Sequence, residues 1–221
     1  MSKIVIKLTI IAALWVSLAS ASTIITFDAD DPIGGLSPGD ILGSQYFASL
    51  GVTFLPNAFS GTGGPSNGTW ASNTDMTIAS STGDVGPLGS PTLVSGNVLR
   101  TFSGWSAENG DPSFLITFST PILDFGADFA GLGVPAWTQV IAYNGSTVLG
   151  SVSASVGGQQ HLSLSGLGQI TSIAIVPGGF SDYVAIDNIS FTPDASVPEP
   201  ATFGMIGSAL AIAAFVRRRC A

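Results

Sequence analysis

Three aspartates in four residues, Asp28-Ala29-Asp30-Asp31, follow directly on the short apolar run that begins at Thr23. Carboxylates packed so closely repel one another unless a cation sits among them, and Ca2+ takes about six to eight oxygens of this kind. A second oxygen-bearing pair, Asp187-Asn188, stands inside the last apolar run, Tyr183 to Thr192. Simple alternation puts Asp187 on the side of Ile189 and Phe191; a carboxylate on a core-facing side is dehydrated and needs a partner. First and last strands are frequent neighbours in sandwiches, so Asp28, Asp30, Asp31, Asp187 and Asn188 are the candidate ligands of a structural calcium ion. The alternative is that Asp187 accepts hydrogen bonds from backbone amides at a rim of the fold.

Other constellations are weaker. Asp124 and Asp128 lie opposite Phe125 and Phe129 and read as a solvated face. A glycan hydrolase needs an acid and a base or nucleophile about 5 to 9 Å apart, but Glu108 is the only glutamate between Ser22 and Ser196, which rules out a glutamate pair. His161 is the single histidine and falls on the polar parity of its run; with no cysteine in the body, no zinc site is expected, and no Gly-x-Ser-x-Gly elbow accompanies it. Trp70 and Trp105 sit in turn-rich surroundings where an indole can stack on a sugar ring, and they are the candidate ligand-binding residues; packing at a core or edge is the other reading.

Those groups must be held by a scaffold with few charges. Of 221 residues only 9% are charged, whereas Gly (28) and Pro (13) are abundant, the balance of an all-β chain with many tight turns. Between Ser22 and Ser196 thirteen acids face Arg100 alone, leaving that segment at −12. Phosphate backbones need clustered Lys and Arg, so no nucleic-acid partner is expected. Cys220 is the only cysteine, so the body has no disulfide and its stability rests on packing, helped by Ca2+ if the cluster binds it.

Alternation is the dominant signal. Phe114, Ile116 and Phe118 share one face; Leu123, Phe125, Ala127 and Phe129 share the next; Val148, Val152, Ala154 and Val156, then Leu162 and Leu164, then Ile173 and Ile175 continue the series. Asn144-Gly145 marks a hairpin, while Gly166 to Gly168 and Pro177-Gly178-Gly179 mark turns. The expected fold class is all-β, a single antiparallel β-sandwich of jelly-roll type with about nine to twelve strands. A helix is expected within Asp40 to Leu50, capped by Ser37 or Asp40, and long loops over Asp31 to Asp40 and Ser60 to Gly96. The run Val184-Ala185-Ile186-Asp187-Asn188-Ile189-Ser190-Phe191 resembles the closing strand of calcium-stabilised extracellular jelly rolls, such as carbohydrate-binding modules and MAM-like domains.

The two ends are of another kind. Lys3 and Lys7, an apolar run from Leu8 to Leu18 and Ala19-Ser20-Ala21 form a signal peptide, residues 1–21, with cleavage expected before Ser22; a retained anchor is the alternative, against which the run is short. At the other end Pro198-Glu199-Pro200 precedes the apolar run Ala201 to Val216, and Arg217-Arg218-Arg219 follows at once, a stop-transfer layout. This order resembles the PEP-CTERM sorting signal of Gram-negative bacteria. The resemblance implies export, transient residence of a C-terminal transmembrane helix in the inner membrane, cutting by an exosortase, and delivery to the cell surface or extracellular matrix. Pro198, Glu199, Pro200 and the three arginines are then the sorting motif, residues 197–221 the sorting tail, and residues 22–196 the exported domain. For that domain we expect a non-catalytic structural or exopolysaccharide-associated role. A carbohydrate-binding lectin and a secreted glycan hydrolase are the alternatives.

Overall fold

The computed structural model describes residues 21–56, 76–82, 93–103, 113–133, 135–177 and 182–194. Residues Ala21–Asp194 form a compact unit. Its strands are β1 (Thr23–Ile25), β2 (Val52–Pro56), β3 (Thr77–Ser80), β4 (Asn97–Ser103), β5 (Phe114–Leu132), β6 (Gln139–Asn144), β7 (Thr147–Ser153), β8 (Gly158–Val176) and β9 (Asp182–Pro193), with one short helix, α1 (Phe47–Leu50). Every pairing among them is antiparallel; the order is β3-β4-β9-β5-β8-β6-β7, with β1 beside β9 and β2 beside β5.

This ladder forms two layers because its longest strands serve both. The first part of β5 lies between β2 and β8, Phe54 facing Ile116 and Ile116 facing Ile173; the later part lies between β9 and the start of β8, Phe125 facing both Phe191 and Leu164. The layers close over one core of Phe54, Phe114, Ile116, Phe118, Phe125, Phe129, Ile186, Ile189 and Phe191, among others. Phe118 of one layer meets Phe191 of the other with ring centroids 5.2 Å apart. The molecule is the expected antiparallel sandwich.

Irregularities let the strands pass between layers, and they correct several expectations. The sequence suggests separate runs around Phe114 to Phe118 and Leu123 to Phe129; they are one strand, with register breaks between Thr117 and Ile122 and between Ile122 and Asp124. The breaks shift the alternation, so Ile122 and Phe125 both point inward and Leu123 is 39% exposed. In the same way Gly166 and Gly168 do not end a strand: with φ of +71° and +82° they form an irregularity inside β8, after Leu164 and before Ile170, both buried. Val148 and Val156, expected on a buried face, are exposed.

The expected helix shrinks to one turn. Tyr46 occupies its N-cap without a side-chain cap, and Asp40 instead accepts the Ser37 N–H at 2.8 Å, closing a local turn. The span Ser60 to Gly96, read as loop, contains β3, whose Ile78 joins the core. The hairpin at Asn144-Gly145 is present between β6 and β7, Gly145 at φ +58°. Among the described residues no helix is long and apolar enough to cross a membrane; the signal peptide and the apolar tail lie outside those residues.

Candidate functional site: a polar face beside a stitched strap

The core takes Phe125, Ala127 and Phe129 of β5 and Leu162 and Leu164 of β8, so the alternate residues Gly126, Asp128, His161 and Ser163 face outward. On β9 the alternation breaks at Asn188. Gly126 pairs with Ser190 and Asp128 with Asp187, so two steps along β5 oppose three along β9, and Asn188 takes φ +49°, a left-handed conformation that Asn tolerates. Ile186 and Ile189 therefore both enter the core. The parity that put Asp187 with Ile189 and Phe191 is corrected by this bulge: Asp187 falls on the side of Ala185, which packs against Val94, Val98 and Ala130 in a small cluster of its own.

Asp187 is nonetheless only 1% exposed. The segment Leu93–Asn97, which leads into β4, crosses over it and is stitched down by bonds from distant strands. Ser95 N–H donates to Asp187 Oδ2 at 3.1 Å, Asn188 Nδ2 to the Leu93 carbonyl at 2.9 Å, Asn97 N–H to Asp28 Oδ1 at 2.8 Å, and Leu93 N–H to Gln159 Oε1 at 2.9 Å. Gly96 adopts φ +61° with its Cα against the Asp28 carboxylate, leaving no room for a side chain. Asp187 also accepts its neighbour's N–H, Asn188 N to Oδ1, at 2.7 Å. Its carboxyl is pushed up to about 6: burial is the larger cause, the carboxylates of Asp28 and Asp128 add to it, and the two backbone donors oppose it.

Asp128 links this strap to the open face. Its Oδ2 accepts Asn188 Nδ2 at 2.9 Å and its Oδ1 lies 2.7 Å from His161 Nδ1; Asp128 is 14% exposed and His161 50%. Asp128 is thus a held carboxylate and not the solvated residue expected. Nothing in the sequence pairs it with His161, 33 positions away; only the β5–β8 register does.

Of the five residues expected around calcium, Asp28, Asp187 and Asn188 come together here. Asp31 is engaged elsewhere: its Oδ2 takes the Thr26 and Phe27 N–H at 3.0 Å each and the Tyr46 hydroxyl at 3.1 Å, and its Oδ1 takes Ile33 N–H at 3.2 Å. It closes the turn after β1, where Phe27 has φ +62°; burial raises the Tyr46 phenol, and Asp31 adds to that shift. Asp30 is exposed, 3.4 Å from the Thr26 hydroxyl. Among the described residues no group of three or more carboxylate, imidazole or thiolate side chains is placed to hold a metal ion. Trp70, Trp105 and the sorting residues Pro198, Glu199, Pro200, Arg217, Arg218 and Arg219 lie outside the described residues; Trp137, on a 3-10 turn at Pro135–Trp137, is exposed.

Fold and site thus define an acidic antiparallel β-sandwich. The PEP-CTERM protein-sorting motif matches residues 196–219, so the chain carries an exosortase signal and is an exported protein sorted to the cell envelope or surface. No curated protein matches the chain. Among solved structures it is similar to the K2 cleaved adhesin domain of Lys-gingipain, at 16% identity and TM-score 0.42 over 78% of this chain and 99% of that one. The K1 domain of the same protein, from Porphyromonas gingivalis, has 10% identity and TM-score 0.40 over 79% and 99%. A family 11 carbohydrate-binding module from Clostridium thermocellum has 12% identity and TM-score 0.30 over 46% and 81%.

Proposed function

We propose that the chain is a non-catalytic, exopolysaccharide-associated surface protein, exported through its signal peptide, trimmed by an exosortase, and braced by a structural calcium ion. The observation that carries the reading is the sorting motif at residues 196–219. A chain delivered this way ends among polymers outside the cell, and a body at −12 suits neutral polysaccharide better than anionic partners.

The fit to calcium rests on Asp187. A buried carboxylate with two more carboxylates bearing on it is at its least favourable when ionised, and a divalent cation reverses the sign of that repulsion. Asp28, Asp128 and Asp187, which surround the strap, are the side chains that would hold the ion, with Asn188 and the Leu93 carbonyl beside them. When bound, the ion would supply charge neutralisation and a cross-link between the turn after β1, the strap and β9.

The test is fractionation of the producing cells. The wild-type chain is expected with the envelope and the polysaccharide matrix, shortened at both ends, and a chain lacking residues 197–221 is expected to leave that fraction. Recovery of the untrimmed wild-type chain from the cytosol would overturn the reading.

A further inference from the structure

On the open face, Gly126 lies between two polar groups. A Cβ added there would come 2.9 Å from Ser190 Oγ and 3.0 Å from His161 Nε2, so both atoms border the notch that the missing side chain leaves. The sheet register explains the convergence, because Gly126 is the cross-strand partner of Ser190 on β9 and sits two residues before Asp128, the partner of His161 on β8.

The imidazole is fixed from behind. A carboxylate oxygen can only accept, so the 2.7 Å contact with Asp128 Oδ1 places the proton on Nδ1; in the neutral ring Nε2 is then an acceptor. Asn188 in turn holds Asp128 by its other oxygen, and the strap holds Asn188. Ser190 Oγ donates a long bond, 3.4 Å, to the Gly126 carbonyl, and its hydroxyl can rotate to donate outward. The result is an acceptor and a donor set side by side on an exposed sheet face, with Ser163 exposed next to them on β8.

We propose that His161 Nε2 and Ser190 Oγ, across Gly126, form a binding subsite for adjacent hydroxyls of a neutral polysaccharide. Each sugar hydroxyl both donates and accepts, so adjacent hydroxyls can serve both atoms, whereas a phosphate or carboxylate offers acceptors only and meets the carboxylates of Asp124 and Asp128 on the same side of the sheet. This subsite rests on the reading of the protein as polysaccharide-associated and names where, and to which polymer class, it binds.

The experiment uses the full-length chain in detergent, titrated by affinity electrophoresis against soluble xylan, mannan, dextran and mixed-linkage β-glucan, with alginate as the anionic polymer. The wild type is expected to be retarded by at least one neutral polymer and not by alginate. Losing one hydrogen-bonding partner should weaken binding about 3- to 10-fold in Ser190→Ala and in His161→Ala, and Gly126→Ala should weaken it by at least as much. Ser151→Ala, on β7, serves as the control and should leave binding unchanged. Near-ultraviolet circular dichroism of each variant separates lost contacts from lost folding, and His161→Gln, which keeps an acceptor, should recover part of the affinity. Retardation of the wild type that is equally strong in folded Ser190→Ala and His161→Ala would sink the subsite and leave the polysaccharide reading standing. Absence of retardation by every neutral polymer would sink both.

Discussion

At the scale of single residues, Asp187 carries the most consequence. Its carboxyl titrates at about 6 in the folded chain against 3.8 in the unfolded one, so the folded state binds its proton more tightly. The contribution to stability is therefore complete below the unfolded value and is lost as pH rises through about 6, amounting to about 3 kcal/mol across that span. In the presence of EDTA the full chain is expected to melt at a lower temperature at pH 7.5 than at pH 5, and Asp187→Asn should flatten that dependence. Equal slopes in both proteins would dismiss Asp187 as its source. Calcium should act oppositely, since it binds the ionised carboxylate: adding it at pH 7.5 should raise the melting temperature, with a smaller rise in Asp28→Asn and Asp128→Asn. No response of the wild type to Ca2+ would remove the ion from the account. Asp28 and Asp187 were legible as a pair from their places in the first and last runs. Asp128 and His161 were not, because their pairing depends on which strands become neighbours, and alternation is silent on that.

Among the elements, the two 19-residue strands decide the architecture. A flat ladder would leave one apolar face in water; by changing partners along their length, β5 and β8 fold the ladder over its own core. Phe118 and Phe191 are the contact that this closure makes, so Phe118→Ala is expected to cost about 3 to 5 kcal/mol in chemical denaturation. A loss under about 1 kcal/mol would mean that the layers do not depend on that contact. The strap is the second device: Gly96→Ala would force a Cβ against the Asp28 carboxylate in a left-handed conformation and should lower stability by about 1 to 3 kcal/mol, with the calcium response reduced in parallel. These two devices also mark how far alternation could be read. It located inward-facing Phe114, Phe125, Leu162 and Ile173 correctly, because each lies in a regular stretch. It failed at Leu123, at Gly166 to Gly168 and at Asp187, where extra residues on one strand break the register and nothing local announces it.

For the molecule as a whole, the division of labour between ends and body follows from composition. Five of the six basic residues lie in the first seven or last five positions, beside the two apolar runs, while the body between them keeps only Arg100. Cations next to an apolar segment hold that side of it in the cytoplasm, so charge is expected to orient both ends, while the acidic body between them carries almost no such hold against crossing. The sorting match at residues 196–219 begins just beyond the compact unit, which closes at Asp194 with its N–H bonded to the Pro121 carbonyl at 2.7 Å and its carboxylate to Gln169 Nε2 at 2.6 Å. Cutting near Pro198-Glu199-Pro200 therefore removes no residue of that unit and breaks none of these bonds. Intact-mass analysis of the protein released from the envelope should give an N-terminus at Ser22 and a C-terminus within a few residues of Glu199. Its melting temperature should match that of the untrimmed chain, since the bonds that close the unit at Asp194 are kept. A C-terminus upstream of Asp194, or a marked loss of stability on trimming, would show that the tail contributes to the fold as well as to its delivery.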